Sequence, residues 1–268
     1  MRLLALLFSL LLAACSMGGA AATSGSKQGD AASAAAIDAA LAGAHRADAN
    51  KARDQNRHPK ETLLFFGLKP GMTVVELWPG GGGWYTEVLA PVLKDKGTFY
   101  AAVPQAGGKF QEKLDANRDL YGQVKVTTLA AGSMEIAPPG SADMVLTFRN
   151  IHNWMARDMA PQVFEAAFKA LKPGGILGVV EHRGNPAVPQ DPKAKSGYVN
   201  EDYAIRMIEA AGFELLGKSE VNANPKDTKN YEKGVWTLPP NYTLGETDKA
   251  KYAAVGESDR FTLKFRKP

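Results

Sequence analysis

The sequence predicts an α/β protein built on a mainly parallel sheet with helices on both faces. Three observations carry this. Short apolar segments alternate with segments of helical period along most of the chain. One of them, residues 73–77, runs through Glu76-Leu77-Trp78-Pro79 into Gly80-Gly81-Gly82-Gly83 and then an amphipathic stretch, the outline of a strand, a tight turn and a helix start. Another, residues 176–180, is almost wholly apolar, as a strand covered on both faces must be.

The elements follow in order. Residues 34–56 are expected to be helical, with Ile37, Leu41 and Ala44 on one face. Pro59 suits a first helical turn and opens a short helix through Leu63, Leu64 and Phe65. Lys69-Pro70-Gly71 is a turn before the first strand. Residues 84–93 form the helix after the glycine run, with Tyr85, Val88, Leu89 and Val92 inward and Pro91 kinking or shortening it. Strands are expected at 97–103, near 124–129 and at 143–148, with a short helix around 109–120 between the first two. Residues 161–171 form a helix with Phe164, Phe168 and Leu171 on its inner face. The turn Lys172-Pro173-Gly174-Gly175 leads to the fifth strand, 176–180. Asn200 caps a helix that stops at Gly212. Residues 213–219 are the sixth strand. Phe261, Leu263 and Phe265 alternate with polar residues in a terminal one. The polar stretch 221–259 is long for a hairpin connection, and loops of that size are usually functional covers or irregular insertions.

The N terminus reads as an address. Arg2, the apolar run 3–12 and Leu12-Ala13-Ala14-Cys15 have the layout of a signal peptide, too short to span a bilayer as a mature helix. The expected divisions are 1–14 signal peptide, 15–33 tether rich in Ala, Gly and Ser, and 34–268 folded domain. Removing 14 residues leaves 254 of 268, enough for one domain with a sizeable core. Cys15 is the only cysteine, so the core and not a disulfide must hold the domain. The formal charge of +4 is mild and no dense Lys/Arg tract occurs, which argues against nucleic acid as a partner.

Three blocks in fixed order carry a resemblance. They are residues 74–86 with the glycine turn, residues 143–152 (Asp-Met-Val-Leu-Thr-Phe-Arg-Asn-Ile-His), and Leu171-Lys172-Pro173-Gly174-Gly175 with the strand after it. Together they resemble class I S-adenosylmethionine (SAM) dependent methyltransferases, from about residue 60 to the C terminus. The resemblance implies a doubly wound, Rossmann-like mixed sheet of seven strands with an antiparallel last strand. Residues 80–90 and Glu257-Ser258-Asp259-Arg260 also resemble exported bacterial proteins described as predicted methyltransferases. The residues ending at Cys15 resemble a bacterial lipobox, which implies acylation of Cys15, attachment to a membrane through the lipid and a periplasmic location. Ser16 after it resembles the outer-membrane sorting pattern. An ordinary secretory signal cut elsewhere is the alternative.

Doubly wound sheets bind ligands beyond the carboxyl ends of their strands, where strand order reverses. Glycines there let the backbone approach, and the next helix offers free N–H groups to an anion. The resemblance implies SAM as cofactor, with Glu76, Trp78, Gly80, Gly81, Gly82 and Arg149 on its side of the site. His152, Asn150 and His182 are the catalytic candidates, acting on a small-molecule acceptor. His152 is the leading base, with Asn150 or Asn153 to orient it or the acceptor; a helix-start residue satisfied by backbone is the competing reading. Glu181-His182 can polarise an acceptor, unless Arg183 simply neutralises Glu181. Tyr198 ranks lower. The polar knot 53–59 either closes the pocket, binds an anionic substrate or only caps a helix. Tyr85 is expected to pack; Trp78 and Trp154 either pack or face a cationic ligand.

The pattern also departs from the family. Trp78 stands where the first motif glycine is expected, and one extra residue separates Glu76 from Thr86. The second strand ends Tyr100-Ala101-Ala102-Val103-Pro104, with no acid for ribose hydroxyls. Charge-assisted bonds of that kind contribute ~1.5–3 kcal/mol each. A non-catalytic ligand-binding lipoprotein that kept the fold is therefore the alternative function. The four histidines lack metal-ligand spacing, so no metal is expected. There is no Gly-x-Ser-x-Gly elbow and no Walker lysine.

Overall fold

The computed structural model describes residues 20–268; the signal peptide and Cys15 lie outside the described residues. The first layer is helical: α1 (Ala20–Ala42), α2 (Asp48–Lys51), α3 (Asp54–Arg57) and α4 (Pro59–Phe66). Then β1 (Thr73–Leu77), α5 (Thr86–Leu93), β2 (Thr98–Val103), α6 (Gly108–Ala116), α7 (Arg118–Tyr121) and β3 (Lys125–Thr128) complete one half. The other half is β4 (Ala142–Phe148), α8 (Ile151–Ala156), α9 (Ala160–Ala170), β5 (Leu171–His182), α10 (Glu201–Ala210) and β6 (Glu214–Ser219). A single 3-10 turn (Gly234–Thr237) and α11 (Lys249–Val255) precede β7 (Arg260–Arg266).

All seven strands form one sheet in the order β3-β2-β1-β4-β5-β7-β6. The pairings from β3 through β5 are parallel, and β7 runs antiparallel between β5 and β6. Side chains alternate across the sheet with the period of a strand. Val145 joins the core under α8, α9 and α10, whereas Met144 and Leu146 join the core under α1, α4 and α5. Gly178 in β5 is dictated by that second core: a Cβ there would stand 2.7 Å from both Leu146 and Phe66 side-chain carbons.

Several boundaries differ from the sequence expectation for local reasons. The first helix begins at Ala20, inside the stretch expected to be tether, and ends before Gly43. The rest of the expected 34–56 helix is the separate turns α2 and α3. The expected 109–120 helix breaks at Asn117, whose side chain accepts a hydrogen bond from Leu120 N and restarts it as α7. Pro91 does not end α5. A proline at 91 cannot donate to the carbonyl of Glu87, four residues back, and the His45 ring bonds that carbonyl at 2.7 Å instead. β5 begins at Leu171, because Leu171 pairs with Ala142 and Ile176 with Met144, so the Lys172–Gly175 turn is a bulge within the strand. Asn200 occupies the N-cap of α10, but its amide donates to the Val188 carbonyl and caps nothing.

Candidate functional site

The chain leaves β1 toward β2 on one side and β4 toward β5 on the other, so the reversal point lies between β1 and β4. Both strands exit through a left-handed residue: Trp78 has φ +47° and Arg149 φ +61°. Non-glycine residues in that region carry strain and cluster at functional sites. Asn150 ties the two exits together, donating from its amide to the carbonyls of Leu77 (3.0 Å) and Trp78 (3.2 Å).

At the β1 exit the glycine turn is open to solvent. Gly80 has φ +72°, and neither Gly80 nor Gly82 has any atom within 4 Å of where a Cβ would stand. Gly81 is closed on one side by the Lys109 side chain, 3.2 Å from its virtual Cβ. Glu76 is buried and accepts a bond from Thr86 Oγ1 at 2.6 Å, tying β1 to the first turn of α5. Burial pushes its carboxyl up to about 7, against the opposing Thr86 hydrogen bond and the nearby charge of Arg149. Trp78 lies across the neighbouring strands: its backbone N donates to Ala102 O, and its indole N–H donates to Leu129 O at 2.9 Å. The Arg157 guanidinium sits 5.3 Å from its ring centre. Trp154 is fully buried, edge-on to Trp78 and to Phe164, so it packs the core. Tyr85 also packs, stacked on Phe148.

A second feature lies one strand further along. A cavity of about 320 Å³ opens between α3, the exits of β4 and β5, the 3-10 turn with the residues after it, and the start of β7. Arg53, Arg57, Arg149 and Arg260 line it, with His152, His182, Ser258, Trp236 and one carboxylate, Glu257. Glu257 is buried and binds Arg53 at 2.6 Å, Arg57 at 3.2 Å and Arg260. Burial opposes its ionisation, yet the three guanidiniums together hold its carboxyl far below the usual range. Burial and the neighbouring arginines push the guanidinium of Arg149 down to about 10 and that of Arg57 down as well.

The histidines are held by one buried acid. Glu181 is completely enclosed and accepts from the His152 ring Nδ1 at 3.1 Å and from the backbone N–H of His152 and of His182. A neutral His152 ring that donates through Nδ1 keeps Nε2 as the proton acceptor. The two rings lie 5.4 Å apart, and His182 Nδ1 meets Ser258 Oγ at 2.5 Å. Burial first, then His152 and the arginines, push the His182 imidazole well below its ordinary value, so it stays neutral.

The structure therefore gathers Arg149, His152 and His182 around one cavity, and places Glu76, Trp78 and Gly80 to Gly82 at the adjoining strand exit. Asn150 bridges strands and does not line the cavity. Glu181 bonds the ring of His152 and not that of its sequence neighbour His182, and Arg183 points away to Glu201 and Glu220. Tyr198 is buried on Asp227, away from the cavity. The polar knot 53–59 supplies Arg53 and Arg57. The ligand atoms of His152, Glu181 and His182 all lie within 4.8 Å of one another, a grouping that spacing along the chain cannot reveal. Sequence reasoning assigned no role to Arg260, Glu257 or Trp236; the Glu257-Ser258-Asp259-Arg260 run was the available signal.

No family model and no curated protein matches the chain. Solved structures do. A SAM dependent methyltransferase from Aquifex aeolicus aligns with a TM-score of 0.54 at 18% identity, covering 81% of this chain and 93% of the other. The [4+2]-cyclase SpnF aligns with a TM-score of 0.54 at 20% identity, covering 80% of each chain. Geranyl diphosphate C-methyltransferase from Streptomyces coelicolor A3(2), solved with Mg2+, geranyl diphosphate and S-adenosyl-L-homocysteine, gives 0.53 at 14%, covering 86% and 88%.

The chain has the class I SAM-dependent methyltransferase fold. A cyclase among the neighbours is a reminder that the methyltransferase fold does not choose the reaction; the site does. At the amino-acid end of SAM nothing in the turn obstructs a ligand: Gly80 and Gly82 border open space, six and four residues before α5 begins. At the nucleoside end the fit is poorer, because β2 ends in Val103 and Pro104 and the Trp78 indole is fixed across β2 and β3.

Proposed function

We propose that this chain is a SAM-dependent methyltransferase-like protein acting on a small molecule, exported and tethered to a membrane through a lipid on Cys15, at the inner leaflet of the outer membrane. The observation that carries the reading is adjacency: an open glycine cradle at the β1 exit and a polar cavity at the β4 and β5 exits share one edge of the sheet. When bound, SAM supplies a methyl group on a sulfonium for in-line displacement. Gly80 and Gly82 admit the cofactor's charged end to the backbone N–H groups there. His152, oriented by Glu181, accepts the acceptor's proton at Nε2.

The test is calorimetric titration of the purified chain with SAM and its demethylated product. Saturable binding that Gly80→Val removes supports the reading; no heat at millimolar ligand overturns it. A second reading is a non-catalytic ligand-binding lipoprotein on the same fold. The acid-free end of β2 and the fixed Trp78 favour it, and binding of a cavity ligand without any SAM binding is its expected result. Radiolabelled palmitate incorporation that Cys15→Ser abolishes tests the anchor.

A further inference from the structure

We propose that the cavity between α3, the exits of β4 and β5 and the start of β7 binds a phosphoryl dianion, the head group of a phosphorylated small molecule. Four guanidiniums line it against one carboxylate, and that carboxylate is already shared among Arg53, Arg57 and Arg260. Arg149 has no ion pair and no side-chain hydrogen bond among the described residues. Arg57 and Arg260 are 4% and 3% exposed, yet Arg57 Nη1 and Arg260 Nε have no hydrogen-bond partner among the described residues. A buried charge or N–H donor left unpaired is strongly unfavourable. Leaving three positive charges in excess over one carboxylate is therefore a site built for an anion that arrives.

The chemistry narrows the anion. Guanidinium forks match phosphate and carboxylate oxygens, and a cluster of them suits the acceptor with more oxygens and more charge. A monocarboxylate would offset one of the three excess charges; a phosphomonoester offsets two and reaches more donors. The volume suits a head group with a few further atoms and lies at the small end of ligand pockets. The competing occupant is a metal ion on His152, Glu181 and His182. It is disfavoured because Glu181 already accepts from one ring and two backbone amides, and the arginines repel a cation.

Assigning this anion as the substrate rests on the methyl-transfer reading above; the phosphate affinity does not, and a titration without SAM separates the two. The full-length chain is titrated with inorganic phosphate, glycerol phosphate and acetate, and mixed with vesicles containing phosphatidic acid. The expected result is saturable phosphate binding at least about tenfold tighter than acetate. Arg149→Gln is expected to weaken it about tenfold or more without lowering the melting temperature, since Arg149 has no partner to lose. Arg53→Gln, at a position one-quarter exposed and paired with Glu257, is expected to weaken phosphate binding likewise but with a lower melting temperature, and serves should Arg149→Gln not fold. Arg149-dependent binding of glycerol phosphate assigns a soluble ligand, and of vesicles alone a lipid head group; either supports the site. Absence of phosphate heat at millimolar concentration, equal acetate affinity, or full affinity in both variants overturns it.

Discussion

Replacing Glu257 with glutamine should lower stability and raise anion affinity at the same time. Glu257 is 5% exposed and, among the described residues, is the only carboxylate lining the cavity, bound to three arginines. Removing one partner of a buried ion pair costs ~3–5 kcal/mol, because the remaining charges stay buried. The glutamine carbonyl can still accept a bond, so the low end, ~3 kcal/mol, is the expectation. For a chain of this length that is a fall in melting temperature of roughly 6–12 °C. The same change takes the cavity from three excess positive charges to four, so phosphate should bind the variant more tightly and recover part of the loss. At a hundredfold excess over its dissociation constant the recovery is ~2.7 kcal/mol. The pH dependence has a defined sign. The Glu257 carboxyl is held below its unfolded value, so its contribution is present above about pH 4.3 and is lost as pH falls toward the folded value. The gap between wild type and variant should therefore be widest near neutrality and narrow in acid. Thermal melts followed by circular dichroism, with and without phosphate, read all of this. A fall under ~2 °C at pH 7, or weaker phosphate binding in the variant, would refute the electrostatic account.

Other consequences follow from the same geometry. Glu76 titrates near 7 in the folded chain and lower when unfolded, so its burial costs stability progressively as pH rises between the two values. Glu76→Gln should then gain ~1–3 kcal/mol at pH 8.5 and nothing at pH 4, measured by urea unfolding; a pH-independent effect would contradict this. His182 is held neutral by burial, so its ring proton resonances should stay flat through the ordinary histidine range, and stability should fall as pH drops below the unfolded histidine value near 6.5. Titration at an ordinary value would show that solvent reaches the ring. Asn150→Ala leaves the Leu77 and Trp78 carbonyls short of a donor and should destabilise by ~1–3 kcal/mol, with faster amide exchange at the β1 and β4 exits. Unchanged exchange there would remove the strand-tying role.

What the sequence disclosed and what it hid divide along physical lines. The strands were legible because they are buried on both faces and read as apolar runs, as in Val74, Val75, Val145 and Leu177. The glycine turn was legible because glycine adopts a left-handed φ without the strain other residues carry there, as at Gly80. Helix ends were less so: the break at Asn117 depends on a side-chain cap, and the survival of α5 through Pro91 depends on His45, which arrives from before the first strand. The site divided in the same way. Arg149, His152 and His182 belong to strand exits, which the alternation of elements locates. Their partners do not. Glu181 is one residue from His182 but bonds the ring of His152, 29 positions away. Arg57 and Glu257 meet across 200 positions of chain. No local period or spacing encodes such a meeting.

The reversed direction of the last strand explains how those distant groups converge. In a wholly parallel sheet, strands end at the ligand edge and every strand start lies at the opposite edge. β7 is antiparallel to β5, with His182 paired to Arg260 and Ile176 to Arg266. The first residue of β7 therefore stands beside the last residue of β5, and the run just before it, Glu257 to Asp259, is delivered to the ligand edge. The long polar connection from β6 ends there, bringing Trp236 and the residues after the 3-10 turn over the same cavity. From the other side, Arg57 is held against Trp84 at the start of α5, 4.6 Å from its ring centre, so the glycine-turn helix positions one wall of the arginine cavity. Meanwhile the polar groups nearest the β1 exit are engaged within the fold: Glu76 with Thr86, Asn150 with two carbonyls, the Trp78 indole with Leu129. Among the described residues, donors without a hydrogen-bond partner on Arg149, Arg57 (Nη1) and Arg260 (Nε) belong to residues lining the cavity that β7 completes, while a further one, Arg183 Nε just past β5, lies outside it beside Glu201. The arginine cluster proposed to hold an anion is thus assembled at the β4–β5–β7 corner, and the antiparallel strand is the element that puts it there.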